Sequence, residues 1–201
     1  MTRIAFDLDD VLGDHTEQFV LFYNHEYSRR RGKRTIKLEE VTEYNLAPLL
    51  GVSDEECYGI LARFYDSQFF EEISPKEGAQ NNVARIMELG NEAWVLTSRP
   101  KPLAAKTRAW VKKHFEGIGP KQVLLSKEIF PGPESLKGPI CSQRGIDLIV
   151  EDSLEQTISC MPYCAVLLFD RPWNRRPRVI LPKHVTRVYS WDEIYKEAAK
   201  Y

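Results

Sequence analysis

Three aspartates, Asp7, Asp9 and Asp10, stand within four positions at the end of the apolar run 3–8. Carboxylates crowded at the mouth of a buried strand repel one another, and no folding requirement puts them there. A bound divalent cation, which takes hard oxygen ligands, offsets that repulsion most simply. Three further polar groups follow: Thr97-Ser98-Arg99 after the apolar Trp94-Val95-Leu96, then Lys137, then Glu151-Asp152 after residues 147–150. Each has a structural explanation when taken alone. Thr97 and Ser98 suit a helix cap before Pro100, Lys137 suits a solvated helix, and Asp152 suits the cap of the helix after it.

The elements that must position these groups follow from hydrophobic periodicity. Residues 3–8 read as a buried strand and 14–31 as a helix capped by Asp14, with Phe19, Phe22, Tyr23 and Tyr27 at helical spacing. The basic run Arg29 to Arg34 closes that helix, where cations suit its dipole and Gly32 can cap. Ser53-Asp54-Glu55-Glu56 opens another helix with a capping box. Residues 15–74 hold no convincing strand and read as a helical insertion. From Pro75 the pattern alternates. Helices are expected over 77–89, 100–115, 134–144 (carrying Lys137) and from Trp191; strands are expected over 92–97, 122–125, 147–150, 165–169 and 186–189. This predicts an α/β, Rossmann-like parallel sheet with helices on both faces, in which ligands bind at the carboxyl ends of the strands. All four polar groups then fall at that end.

Composition narrows the classes. With 43% hydrophobic and 28% charged residues the chain of 201 residues reads as an ordinary soluble globular protein. A net charge of −1 supplies no field toward a nucleic acid polymer or an anionic membrane. Apolar runs such as 165–169 are too short to span a bilayer. Met1-Thr2-Arg3 runs directly into the first strand, leaving no room for a signal peptide, so a cytoplasmic location is expected. Cys57, Cys141, Cys160 and Cys164 lack zinc or disulfide-framework spacing and read as buried, reduced thiols. A homodimer is left open.

The succession Asp7-Leu-Asp9-Asp10-Val11, Leu96-Thr97-Ser98, Lys137 and Val150-Glu151-Asp152-Ser153 resembles the haloacid dehalogenase superfamily of Mg²⁺-dependent phosphohydrolases, over nearly the whole chain. Within it, the chain looks most like the 5′(3′)-deoxyribonucleotidase group. That narrower resemblance rests on the run from Asp7 to Asp14, on Val95-Leu-Thr-Ser-Arg-Pro100, on Gly145-Ile-Asp-Leu-Ile-Val-Glu-Asp152, on Phe169-Asp-Arg-Pro-Trp-Asn174 and on Trp191-Asp-Glu-Ile194.

The resemblance implies a division of labour. Asp7 would attack phosphorus, forming an aspartyl-phosphate, and bind Mg²⁺. Asp9 would serve as general acid and base, its pKa raised by crowding, with its backbone carbonyl on the metal. Asp152 would be the other metal carboxylate, with Glu151 orienting a water or ligand of the metal. Thr97 and Lys137 would hold phosphoryl oxygens, Lys127 being the competing lysine, with Ser98 and Arg99 beside the substrate. Asp10 stands where the family often has glycine. Residues 15–74 would form a small helical cap domain over a core of 1–14 and 75–201, its aromatics offering surfaces for a base. The Arg29 to Arg34 run would draw anions or simply be solvated, and the loop from Arg171 to Arg176 would shape the entrance. The expected activity is hydrolysis of a small phosphomonoester, a nucleoside monophosphate first. A sugar-phosphate phosphatase or phosphomutase, and a degenerate binding protein of the same fold, are the alternatives; dehalogenation and a phospho-receiver domain fit the motif order less well.

Overall fold

The computed structural model describes residues 1–130, 135–175 and 181–201; Glu134, at the expected start of the helix over 134–144, and Arg176, at the end of the expected entrance loop, lie outside them. Six strands form one sheet: β1 (Arg3–Phe6), β2 (Glu92–Thr97), β3 (Val123–Leu125), β4 (Leu148–Glu151), β5 (Ala165–Phe169) and β6 (Val185–Val188). Their order is β3-β2-β1-β4-β5-β6, and every neighbouring pair is parallel. The chain builds outward from β1 to β3, then returns to add β4 on the other side of β1. Such a reversal leaves a crevice at the strand ends, between β1 and β4.

Alternation along the strands feeds two cores. Ile4 and Phe6 of β1, Val95 of β2 and Val150 of β4 face one; Ala5, Leu96 and Ile149 face the other. The first is covered by α5 (Ala79–Glu88) and α10 (Trp191–Ala198), and the second by α8 (Gly138–Arg144) and α9 (Leu154–Cys160). The remaining core helices are α6 (Ala104–His114) and α7 (Ser126–Ile129).

Between β1 and β2 the chain forms α1 (His15–Tyr23), α2 (Ala47–Leu50), α3 (Asp54–Tyr65) and α4 (Gln68–Glu71), with no strand among the described residues of 15–74. The expected single helix over 14–31 is divided: α1 gives way to a π-helical stretch, Asn24–Arg29. The Asn24 side chain there bonds the Ile36 backbone, donating to its carbonyl at 2.7 Å and accepting from its N–H at 2.9 Å. The Ser53–Glu56 capping box is present. The basic run is exposed and locally engaged, Arg30 and Arg34 pairing with Glu26 and Glu40 and Arg31 lying over the Tyr27 ring. The four cysteines are free thiols, Cys164 only half-buried. Among the described residues no helix is long and apolar enough to cross a membrane.

Asp14 makes no side-chain cap for α1 and pairs instead with Lys76. Asp10 takes that role. Its φ of 61° lies in the left-handed region, which turns its carboxylate back onto the Thr16 N–H (3.1 Å) and hydroxyl (2.5 Å). A glycine reaches this conformation without strain, and aspartate is among the few other residues that tolerate it. Here the side chain adds a cap that glycine cannot supply.

Candidate active site

Asp7 follows the last residue of β1, and its N–H still donates to the Val150 carbonyl of β4 (2.9 Å), so the two strand ends are tied together where the acids begin. Lys137 reaches them from the side. Its Nζ donates to Asp7 Oδ1 at 2.6 Å and to Glu151 Oε2 at 2.7 Å, and its side chain is only 1% exposed. Lys137 is not inside a helix but caps the N-terminal end of α8, four residues beyond the expected helix start. What places it is the packing of α8 on α9: the Lys137 N–H bonds Gln156 Oε1 (2.9 Å), the Gly138 N–H bonds Ser159 Oγ (3.0 Å), and a Cβ on Gly138 would meet the Ser159 carbonyl oxygen at 2.0 Å. Only glycine permits this approach. Lys127, the competing lysine, sits half-buried on α7.

Asp7, Glu151 and Asp152 are all buried and offer oxygens within 4.8 Å of one another. Glu151 is thus a full member of the acidic group as well as Lys137's second partner. The Asp9 side chain is outside the group. Arg99 holds it through Nε (3.0 and 3.1 Å to the two oxygens) and Nη2 (2.6 Å). Arg99 is itself 3% exposed, reaches Thr107 Oγ1 at 3.5 Å and lies 4.7 Å from the centre of the Phe70 ring. Thr97 closes β2 beside β1, buried, its hydroxyl accepting the Arg99 N–H (3.3 Å); Ser98 is bonded by Ser126 Oγ at 3.4 Å.

Three residues of the loop after β5 support the acids in ways no local pattern announces. Trp173 Nε1 donates to Asp152 Oδ2 at 2.8 Å, and Asn174 Nδ2 bridges the Asp152 and Phe169 carbonyls at 2.8 Å each. Arg171 donates to the Asp10 carbonyl through Nε (3.1 Å) and Nη2 (2.8 Å), holding the left-handed turn. Together with Asp10 and Lys76, Arg171 and Trp173 also line a cavity of about 240 Å³.

A family profile, that of 5′ nucleotidase, deoxy (pyrimidine), cytosolic type C protein, matches residues 1–200. The chain belongs to this family. It is 23% identical over 199 residues to a candidate nucleotidase of Halalkalibacterium halodurans, covering 95% of this chain and 89% of that one. A second candidate nucleotidase, from Oceanobacillus iheyensis, is 22% identical over 198 residues, covering 96% and 97%. In structure the chain resembles a haloacid dehalogenase family hydrolase from Deinococcus radiodurans, solved with bound phosphate and sodium. The TM-score is 0.67 at 14% identity, with 100% and 96% of the two chains covered.

This nucleotidase-family chain is therefore a phosphoric monoester hydrolase on a haloacid dehalogenase-type fold. Its acidic group carries three buried carboxylates against one ammonium, an excess of negative charge that hard oxygen donors present to a divalent cation. The donor set fits such an ion. Burial pushes Glu151 up to about 8, with Asp7 adding to and Lys137 opposing the effect. Burial likewise raises Asp7 and Asp152. Asp9 corrects the expectation of a pKa raised by crowding: burial would raise it, but Arg99, then His15, outweigh that and hold it low.

A stability signature follows. With the metal absent, the folded site retains a proton that Glu151 in the unfolded chain, at its ordinary 4.5, has already lost. The unfolded state then binds fewer protons, so stability falls as pH rises through that window, toward about 8. The melting temperature of chelator-treated protein is expected to drop from about pH 5 to about pH 8, and the rise produced by a divalent cation to grow over the same range. Thermal melts across pH with and without the cation measure this; a metal-free melting temperature that climbs with pH contradicts it.

Proposed function

We propose that the chain is a Mg²⁺-dependent phosphatase of small phosphomonoesters, acting on nucleoside monophosphates through an aspartyl-phosphate. The observation that carries the reading is Lys137 Nζ bridging Asp7 and Glu151 at the ends of β1 and β4. Asp7 Oδ attacks phosphorus as the bond to the leaving oxygen breaks, and Asp9, protonated from solvent once Arg99 has released it, gives that oxygen its proton. Asp9 then takes a proton from the water that attacks the aspartyl-phosphate, releasing phosphate and restoring Asp7. The Thr97 hydroxyl and the Lys137 ammonium hold the phosphoryl oxygens. The carboxylates of Asp7 and Asp152 with the Asp9 carbonyl would hold Mg²⁺, Glu151 orienting its remaining ligands. Bound there, Mg²⁺ supplies positive charge against the transferring phosphoryl group.

Residues 15–74 act in this reading as a cap over the core of 1–14 and 75–201. Two observations support that. Tyr65 of α3 has its phenol pushed up to about 12, by burial first and then by the Asp9 carboxylate, which supports an insertion lying toward the acids. Tyr44, elsewhere in the insertion, has its phenol held high by desolvation first and then by the Asp152 and Asp7 carboxylates. Arg99 must yield Asp9 to the substrate for the acid step, and the movement of such a cap is the natural occasion.

The test is phosphate release from a panel of nucleoside and sugar monophosphates, with Mg²⁺ and after EDTA. Release that is fastest from a nucleotide and abolished by chelation is expected. Release indifferent to EDTA, or fastest from a sugar phosphate, refutes the reading.

A further inference from the structure

A cavity of about 250 Å³ opens between α4 and α6, lined by Arg99 but by none of Asp7, Asp9, Glu151 and Asp152. Arg99 is the wall it shares with the acidic side, because the same guanidinium holds Asp9. α6 supplies Lys106, Ala109, Trp110 and Lys113, spaced i, i+3, i+4 and i+7 on one helix face. α4 supplies Phe70 and Glu71. Both rings are fixed before a ligand arrives. Trp110 is buried and its Nε1 donates to the Ile73 carbonyl at 2.8 Å; Phe70 is buried against the Arg99 guanidinium, 4.7 Å from its ring centre. The small side chain of Ala109, between the two lysines, leaves the space open, and cavities of about 150 Å³ already admit a benzene ring.

The charge around this cavity is uneven. Lys113, in the last turn of α6, suits the helix dipole, but Lys106 stands in the first turn, where the dipole opposes a cation. Its Nζ donates to the Tyr65 carbonyl at 3.1 Å and meets Glu71 Oε1 at 3.4 Å. Both side chains of that ion pair are open to water, so the pair is weak and exchangeable. Among the described residues Lys113 makes no hydrogen bond or ion pair. With Arg99 neutralised by Asp9, two ammoniums face one carboxylate beside two aromatic rings. We propose that the cavity is a second binding site, separate from the acids, for an aryl phosphate dianion. The phosphoryl group displaces Glu71 from Lys106 and draws on Lys113, while the aryl ring packs on Trp110 and Phe70. Two ammoniums call for a dianion, which a phosphoryl group supplies and a carboxylate does not.

The probe is phenylphosphonate, whose C–P bond is not a phosphoester, titrated calorimetrically with Mg²⁺ and after EDTA. Binding in the cavity is expected under both conditions, since no metal enters it; benzoate, inorganic phosphate and phenol, each lacking part of the ligand, are expected to bind at least about tenfold more weakly. Ala109→Leu fills the cavity from an exposed helix position and is expected to abolish the metal-independent binding without lowering the melting temperature. Lys113→Gln is expected to weaken it roughly 3- to 10-fold, and Glu71→Gln, which frees Lys106, to tighten it by a similar factor. Absence of metal-independent binding, binding that survives Ala109→Leu within about twofold, or weakening by Glu71→Gln overturns the inference. So does inorganic phosphate or benzoate binding as tightly as phenylphosphonate. The site does not depend on the phosphatase reading, whose failure shows separately as absent turnover by the unaltered enzyme with Mg²⁺.

Discussion

Asp7→Asn is expected to lower phosphate release by on the order of 10⁴-fold or more, at any Mg²⁺ concentration. The amide is nearly isosteric with the carboxylate, and its oxygen can still accept from Lys137 Nζ, which Asp7 now meets at 2.6 Å. What it cannot do is attack phosphorus and carry the phosphoryl group. The fold is expected to survive, because the substitution removes one of three mutually repelling buried carboxylates. Toward about pH 8, where the cluster gives up the proton that offsets its repulsion, the melting temperature relative to the metal-free parent is expected to stay level or rise. That combination separates a lost nucleophile from a lost structure. Saturating Mg²⁺ separates it from a lost metal ligand, since a binding defect alone is overcome at high concentration. Phosphate release within about tenfold of the parent removes Asp7 from the nucleophile's place.

How much of this was legible beforehand varies with the reach of each interaction. The strands β2 and β5 have the bounds that alternation and apolar runs predict, and the acids, Thr97 and Lys137 fall at strand ends because a parallel sheet gathers loops there. Lys137 meeting Asp7 across 130 residues was readable only through motif order. The roles of Asp10 and Asp14 were not readable. Which one caps α1 is decided by a left-handed turn at Asp10 that Arg171 braces from 161 positions away. Trp173 and Asn174 carry no periodic signal either, since their contacts with Asp152 are single hydrogen bonds between loops.

Lys137→Met is expected to be the second damaging change, and for two reasons that act together. For activity, it deletes the cation that meets the phosphoryl oxygens, with a loss of roughly 10²- to 10³-fold in kcat. For stability, it strips a buried cluster of its counter-ion: Asp7 and Glu151 both lose a bond of 2.7 Å or less, and the methionine offers nothing to replace it. Removing one member of a buried ion pair costs about 3–5 kcal/mol when the remaining charge stays ionised. The cluster has an escape, since carboxylates can take up protons. The penalty should therefore be small in acid and large toward alkaline pH, steepening the pH trend expected of the metal-free parent. A divalent cation should narrow it, as the one other source of positive charge the site accepts. Lys127→Met is the comparison that decides between the two lysines: it removes an equal charge from half-buried α7 and is expected to change the melting temperature by less than about 1 kcal/mol's worth at every pH. If Lys127→Met lowers activity more than Lys137→Met, or if the Lys137→Met penalty fails to grow with pH, the bridge from Lys137 to Asp7 and Glu151 is not what neutralises the site.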